Sequence, residues 1–157
     1  MGVFPIINRI IERLELDSTL CGFLPQEDRR SKVRTSTALT LLIKNILINR
    51  EPLYGLGAWV SQFVPELLGL EQQQLKSLND DRVGRALDRL FDANLPELAM
   101  AVTRKVVDEF HLNLNELHND STTVRFYGDY DEFEQPVLRR GKLTVAIQQG
   151  AQQGPSS

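Results

Sequence analysis

Soft metal ligands are nearly missing from this chain. Its one cysteine, Cys21, cannot close an internal disulfide, and two histidines, His111 and His118, are too few for a zinc finger. Carboxylates are the only candidates left to hold a metal. Long apolar runs are missing too. The longest, around Ala38 to Ile43, is closed by Lys44 and falls far short of a bilayer span. Arg9, Glu12 and Arg13 break up the apolar residues of the N-terminus, so no secretory signal is expected. Ile6 stands where a myristoylation signal beginning at Gly2 needs Ser or Thr. The expectation is a soluble, cytoplasmic protein with no membrane partner. A positive excess is also lacking: 18 Lys and Arg against 21 Asp and Glu give a net charge of −3. Any contact with DNA would need a local basic stripe.

What is present suits one ordinary domain: 157 residues, 41% hydrophobic and 25% charged, a composition that folds. The first two-thirds reads as helix. Ile7, Ile10, Ile11 and Leu14 keep a helical period after Pro5, which suits a first turn. A broken stretch is expected over Asp17 to Pro25, then a charged segment with Arg29, Arg30, Lys32 and Arg34. Ser36 is the expected cap of a central helix whose face is Leu39, Leu42, Ile43 and Ile46, ended by Pro52. Gly55 and Gly57 introduce a short helix through Trp59 and Phe63, and Pro65 and Gly69 punctuate the connection after it. Asn79 precedes a helix from Asp80 to Asp92 with Val83, Leu87, Leu90 and Phe91 on its apolar face. Asn94 and Glu97 form a start signal for the next, which runs to about Phe110.

From Leu114 the period changes to alternation. Leu117, Thr122, Val124 and Phe126, then Leu143, Val145 and Ile147, suggest strands, with a turn at Gly128 and the acidic run Asp129, Asp131, Glu132 and Glu134. The last ten residues carry no charge and little to bury, and are expected to be disordered. The fold class expected is therefore α+β: a helical module over 1–112, two or three antiparallel strands over 113–147, and a disordered tail over 148–157.

Arg82, Arg85 and Arg89 fall at i, i+3 and i+7 and would make a basic stripe able to lie on phosphates or enter a groove. Asp81, Asp88 and Asp92 line the adjacent stripe, and Asp81 with Arg85 is an i, i+4 pair, so a self-neutralised solvated face is the stronger reading. Lys32 and Arg34 belong to the other basic run, directly after Glu27 and Asp28. Gly84 costs its helix roughly 1 kcal/mol relative to alanine, which points to close packing of another helix, or to close approach of DNA. Trp59 and Phe63 read as core and Cys21 as a small buried residue. His111 reads as a helix-end residue, favourable to the dipole or simply exposed.

The segment Leu117-His118-Asn119-Asp120-Ser121-Thr122-Thr123 is the candidate for chemistry. Aspartate is disfavoured in strands because its side chain competes for backbone hydrogen bonds. A hard cation such as Mg²⁺ would explain Asp120; so would an Asx-turn onto Thr122 or Thr123. The residues alone favour the turn. His118 alternates with Asp120 on a regular strand, but a metal or proton-transfer role for it has little behind it.

Leu117 to Tyr130, LHNDSTTVRFYGDY, resembles the first catalytic-aspartate motif of DDE-type insertion-sequence transposases, and LNDDRVGRALDRL over Leu78 to Leu90 is similar to a helix of that family's N-terminal region. The likeness extends loosely from Val3, through PLYGLGAWV, to about Val145, the front of a family member. It implies a ribonuclease H-like domain opening at the strands, with DNA transposition by phosphoryl transfer assisted by two divalent ions held by three carboxylates. Asp120 matches the first carboxylate, as catalytic residue and metal ligand; the other two lie much further along in the family. Mg²⁺ is the implied cofactor, bound weakly if at all by one carboxylate, and the implied partners are transposon terminal repeats, a second copy, or a full-length transposase. The tail AIQQGAQQGPSS departs from the family's charged continuation. DNA encoding IQQGAQQGP, read one nucleotide later, can spell FNKEHNKDL, so a frame-shifted or truncated chain, inactive alone, is expected. The other reading is a non-catalytic helical module that binds DNA or a protein.

Overall fold

The computed structural model describes residues 2–27, 31–115 and 136–144. The chain divides into two compact units, Met1–Asn115 and Glu116–Ser157. The first is built of seven α-helices among the described residues: α1 Phe4–Arg13, α2 Leu16–Phe23, α3 Thr35–Ile48, α4 Leu56–Val60, α5 Pro65–Leu68, α6 Asp80–Asp92 and α7 Leu95–Phe110. Two 3-10 turns, Leu53–Gly55 and Gln72–Ser77, join them. Among the described residues no helix is long and apolar enough to cross a membrane.

Helix α3 is central, packing on α2 and most extensively on α6. Ala38, Leu39 and Leu41 meet Val83 and Ala86 of α6 in one cluster with Val33, Leu56, Trp59, Leu68 and Leu98. Each large apolar side chain taken fully out of water in this way contributes about 1.5–3 kcal/mol. An aromatic trio closes the side of α1: Phe4 and Phe63 meet edge to face at 4.9 Å, Trp59 and Phe63 at 5.3 Å. Trp59 and Phe63 are thus core side chains, as their spacing suggests.

Several starts fall where the sequence places them. Proline occupies the first turn of α1. Asn79 caps α6 through Arg82 N at 2.8 Å, and the Asn94 side chain accepts from Glu97 N at the start of α7. Pro65 opens α5, and Gly69 closes it with φ of 77°. That left-handed backbone is open to glycine at little cost, since it lacks a Cβ.

Elsewhere packing overrides the local signal. Asp17 to Pro25, expected to be broken, contains most of α2. Glu15 turns left-handed at φ 46°, Ser18 Oγ and Thr19 Oγ1 both donate to its carbonyl, and Thr19 and Leu20 are buried. Too short to be stable by itself, α2 is held by α3 and α7. Cys21 is exposed rather than buried, its thiol turned to Ser36 Oγ at 3.5 Å. A Cβ added at Gly84 would meet nothing within 4 Å, so close packing of a neighbouring helix does not account for that glycine.

In the second unit the described residues form one antiparallel hairpin, β1 Leu138–Arg139 and β2 Lys142–Leu143, in register Leu138 with Leu143. Arg140 and Gly141 make the turn, both with positive φ, the two-residue geometry that matches strand twist. Of the strand residues expected from alternation, Leu143 lies here. Leu117, Thr122, Val124, Phe126, Val145, Ile147, the acidic run and the tail over 148–157 lie outside the described residues. A ribonuclease H-like fold is not seen among the described residues.

Candidate nucleic-acid interface

The loop between α2 and α3 and the outer side of α6 carry the cationic residues that the sequence singles out. They meet around Glu27. This carboxylate accepts from Thr35 N at 3.1 and 3.0 Å and from Thr35 Oγ1 at 2.8 Å. It thereby caps α3 from eight residues upstream, where free amides and the helix dipole favour an anion. Ser36, the expected cap, instead lies buried inside the first turn, and Arg34 at the cap position supplies no side-chain bond.

Arg82, expected on an outward stripe, is turned inward. Its guanidinium pairs with Glu27, donates through Nε to the Val33 carbonyl at 2.8 Å, and is 11% exposed. A second guanidinium nitrogen reaches the same carbonyl and lies 3.4 Å from Thr35 Oγ1. One planar fork therefore ties α6 to the loop and to the start of α3. Burial raises the Glu27 pKa, but the bonds from Thr35 and the pairing with Arg82 outweigh it and hold the carboxyl below its ordinary value.

Two turns along, Arg89 donates to the carbonyls of Pro25 at 3.3 Å and Gln26 at 3.1 Å. The same loop is thus held near both of its ends by arginines of one helix. Arg85 points out and forms the expected pair with Asp81 at 2.7 Å. Arg34 pairs with Asp17 at 3.3 Å and stays exposed. Lys32 is only partly covered, and its carbonyl accepts from Gln74 Nε2 at 2.9 Å. Arg29, Arg30, His118 and Asp120 lie outside the described residues. Among the described residues no three of His, Cys, Asp and Glu gather where they could hold a metal. His111 is exposed and ends α7 with φ of 50°.

Sequence reasoning passes over three polar groups that matter. Glu27 is one, in sequence no more than a neighbour of the basic run. The others are Lys44 and Asn45, buried in α3. Asn45 donates to Glu51 O at 2.8 Å and accepts from Glu51 N at 3.1 Å, fixing the turn that leaves the helix. Lys44 Nζ donates to Leu68 O at 2.9 Å, at the carbonyl end of α5, and burial lowers its pKa. A signal exists for Asn45, since 38, 41, 45 and 48 share one helical face.

A family model described as a domain of unknown function (DUF4277) matches residues 1–104, well over half of the chain. The chain belongs to that family. No curated protein and no solved structure matches it.

Proposed function

We propose that this DUF4277 chain is the front part of a DDE-type insertion-sequence transposase, a helical module followed by the opening of a phosphoryl-transfer domain. The observation that carries this reading is the pair of motifs, LNDDRVGRALDRL and LHNDSTTVRFYGDY, in family order on one chain. The first spans most of helix α6, whose Arg82 and Arg89 brace the loop before α3. In the second, Asp120 is the catalytic carboxylate and metal ligand. Divalent ions in the intact enzyme would activate the attacking oxygen and stabilise the leaving one. One carboxylate does not hold Mg²⁺ tightly, so the 157-residue chain alone is inactive in strand cleavage and strand transfer.

DNA contact in this reading falls to the cations that solvent reaches, Lys32, Arg34 and Arg85. Arg82 and Arg89 shape the loop that bears the first two. Contacts of this kind engage phosphate and weaken as salt rises.

The test is the DNA downstream of this reading frame. It should encode the remaining two carboxylates, in frame or after a one-nucleotide shift. The joined protein should carry out Mg²⁺-dependent strand transfer that Asp120→Asn abolishes. Downstream DNA without such a frame, or activity indifferent to Asp120→Asn, would overturn the proposal. A non-catalytic module is the second reading, favoured by the self-contained helical unit over Met1–Asn115. It predicts salt-dependent binding of terminal-repeat DNA by this chain with no requirement for Asp120.

A further inference from the structure

Helix α7 keeps one face that the other described residues leave open. Glu97, Met100, Ala101 and Arg104 follow one another at i, i+3, i+4 and i+7, along a single side of the helix. With Phe23 at the end of α2, and Pro96, they line a groove of about 390 Å³. Its middle is apolar, and Met100 is 64% exposed there. Its two ends are charged. Glu97 and Arg104 stand about 10.5 Å apart along the axis, too far to pair with each other. Neither side chain has an ionic or hydrogen-bond partner among the described residues. The contrast lies on the same helix: Lys105 pairs with Glu15, and Glu109 takes Arg13 at 2.6 Å.

We propose that this face of α7 pairs with the same face of a second copy of the chain, the two helices antiparallel about a two-fold axis. In such a contact residue i meets j and j meets i. The midpoint between Glu97 and Arg104 falls between Met100 and Ala101. With the axis there, each Glu97 faces the partner's Arg104, and each Met100 lies over the partner's Ala101. The small alanine lets the axes approach, and the flexible methionine fills the space left. A partner peptide of one charge sign would match one end of the groove and oppose the other. A second copy satisfies both ends at once. This surface lies within the helical unit, and the inference does not depend on the transposase reading.

One helix pair is a small interface, so the dimer should be reversible with a dissociation constant on the order of micromolar. Sedimentation equilibrium of the full chain reads it directly. Glu97→Arg and Arg104→Glu each set two like-charge pairs across the axis and should weaken the dimer by at least about tenfold. Combined, the two substitutions restore opposite charges and should bring it back to within about threefold of the original. Circular dichroism checks that these exposed changes leave the helices intact. Independently, Met100→Cys in a Cys21→Ser background should give a covalent dimer with a short bis-maleimide. A chain that stays monomeric, single variants without effect, a double variant no better than the singles, or a dimer that Met100→Cys fails to link would each overturn the proposal.

Discussion

Helices α3 and α6 pack on each other and bury themselves in opposite ways. α3 is mostly apolar, yet it turns Lys44 and Asn45 inward, at 4% and 1% exposure, and leaves Ile46 and Leu47 at 53% and 63%. α6 is highly charged, buries Val83 and Ala86, and sends Arg82 and Arg89 across to its neighbour. The difference teaches what draws a polar side chain inward. In both helices it goes where main-chain groups need partners: Glu51 and Leu68 beside α3, Val33, Pro25 and Gln26 beside α6. An unmet buried amide or carbonyl costs about 1–3 kcal/mol, comparable to what one exposed isoleucine forfeits.

The α6 side of that comparison should break hardest at Arg82. Arg82→Ala strands Glu27 and the Val33 carbonyl, and urea unfolding should show a loss of about 3 kcal/mol, with strong coupling in a double-mutant cycle with Glu27→Ala. A smaller loss, like that of a surface pair, would mean that solvent replaces the guanidinium. The α3 side is next. Asn45→Ala should cost about 2 kcal/mol in the same measurement, because both Glu51 bonds go at once.

Acid sharpens the comparison without a mutation. The folded carboxyl of Glu27 titrates below its unfolded value of 4.5, so its contribution is complete above that pH and is lost as pH falls through the lower folded value. The melting temperature should drop over that window, and Glu27→Gln should flatten the drop. Gly84→Ala should raise stability by up to about 1 kcal/mol, since its Cβ enters open space. Leu47→Ser, on an exposed apolar position of α3, should move stability by no more than about 0.5 kcal/mol.

Helix positions with a cap or a breaker beside them can be read directly: Asn79 for α6, Asn94 for α7, Pro65 and Gly69 around α5. These signals act within one turn. What escapes depends on groups far apart in the chain. α2 has no strong local signal and exists because Thr19 and Leu20 find cover. The start of α3 is capped by Glu27, eight residues away, and Glu27 is set in turn by Arg82, 55 residues further on. Periodicity assigns Ile46 to the buried face of α3, but Lys44 and Asn45 take the inward positions in that turn. Of the expected site residues, Asp120 rests on the resemblance alone, because the residues by themselves favour a turn.

Lys44 gives the fold a built-in chemical clock. Acylating reagents attack the unprotonated amine, and burial shifts this one toward that form. Its nitrogen is nonetheless shielded beneath the Leu68 carbonyl, while Lys76 stands open to solution. Lys76 should be modified at once. Lys44 should be modified only in molecules where α3 and α5 have come apart, and with reclosing faster than acylation its labelling rate measures the population of the opened helical unit.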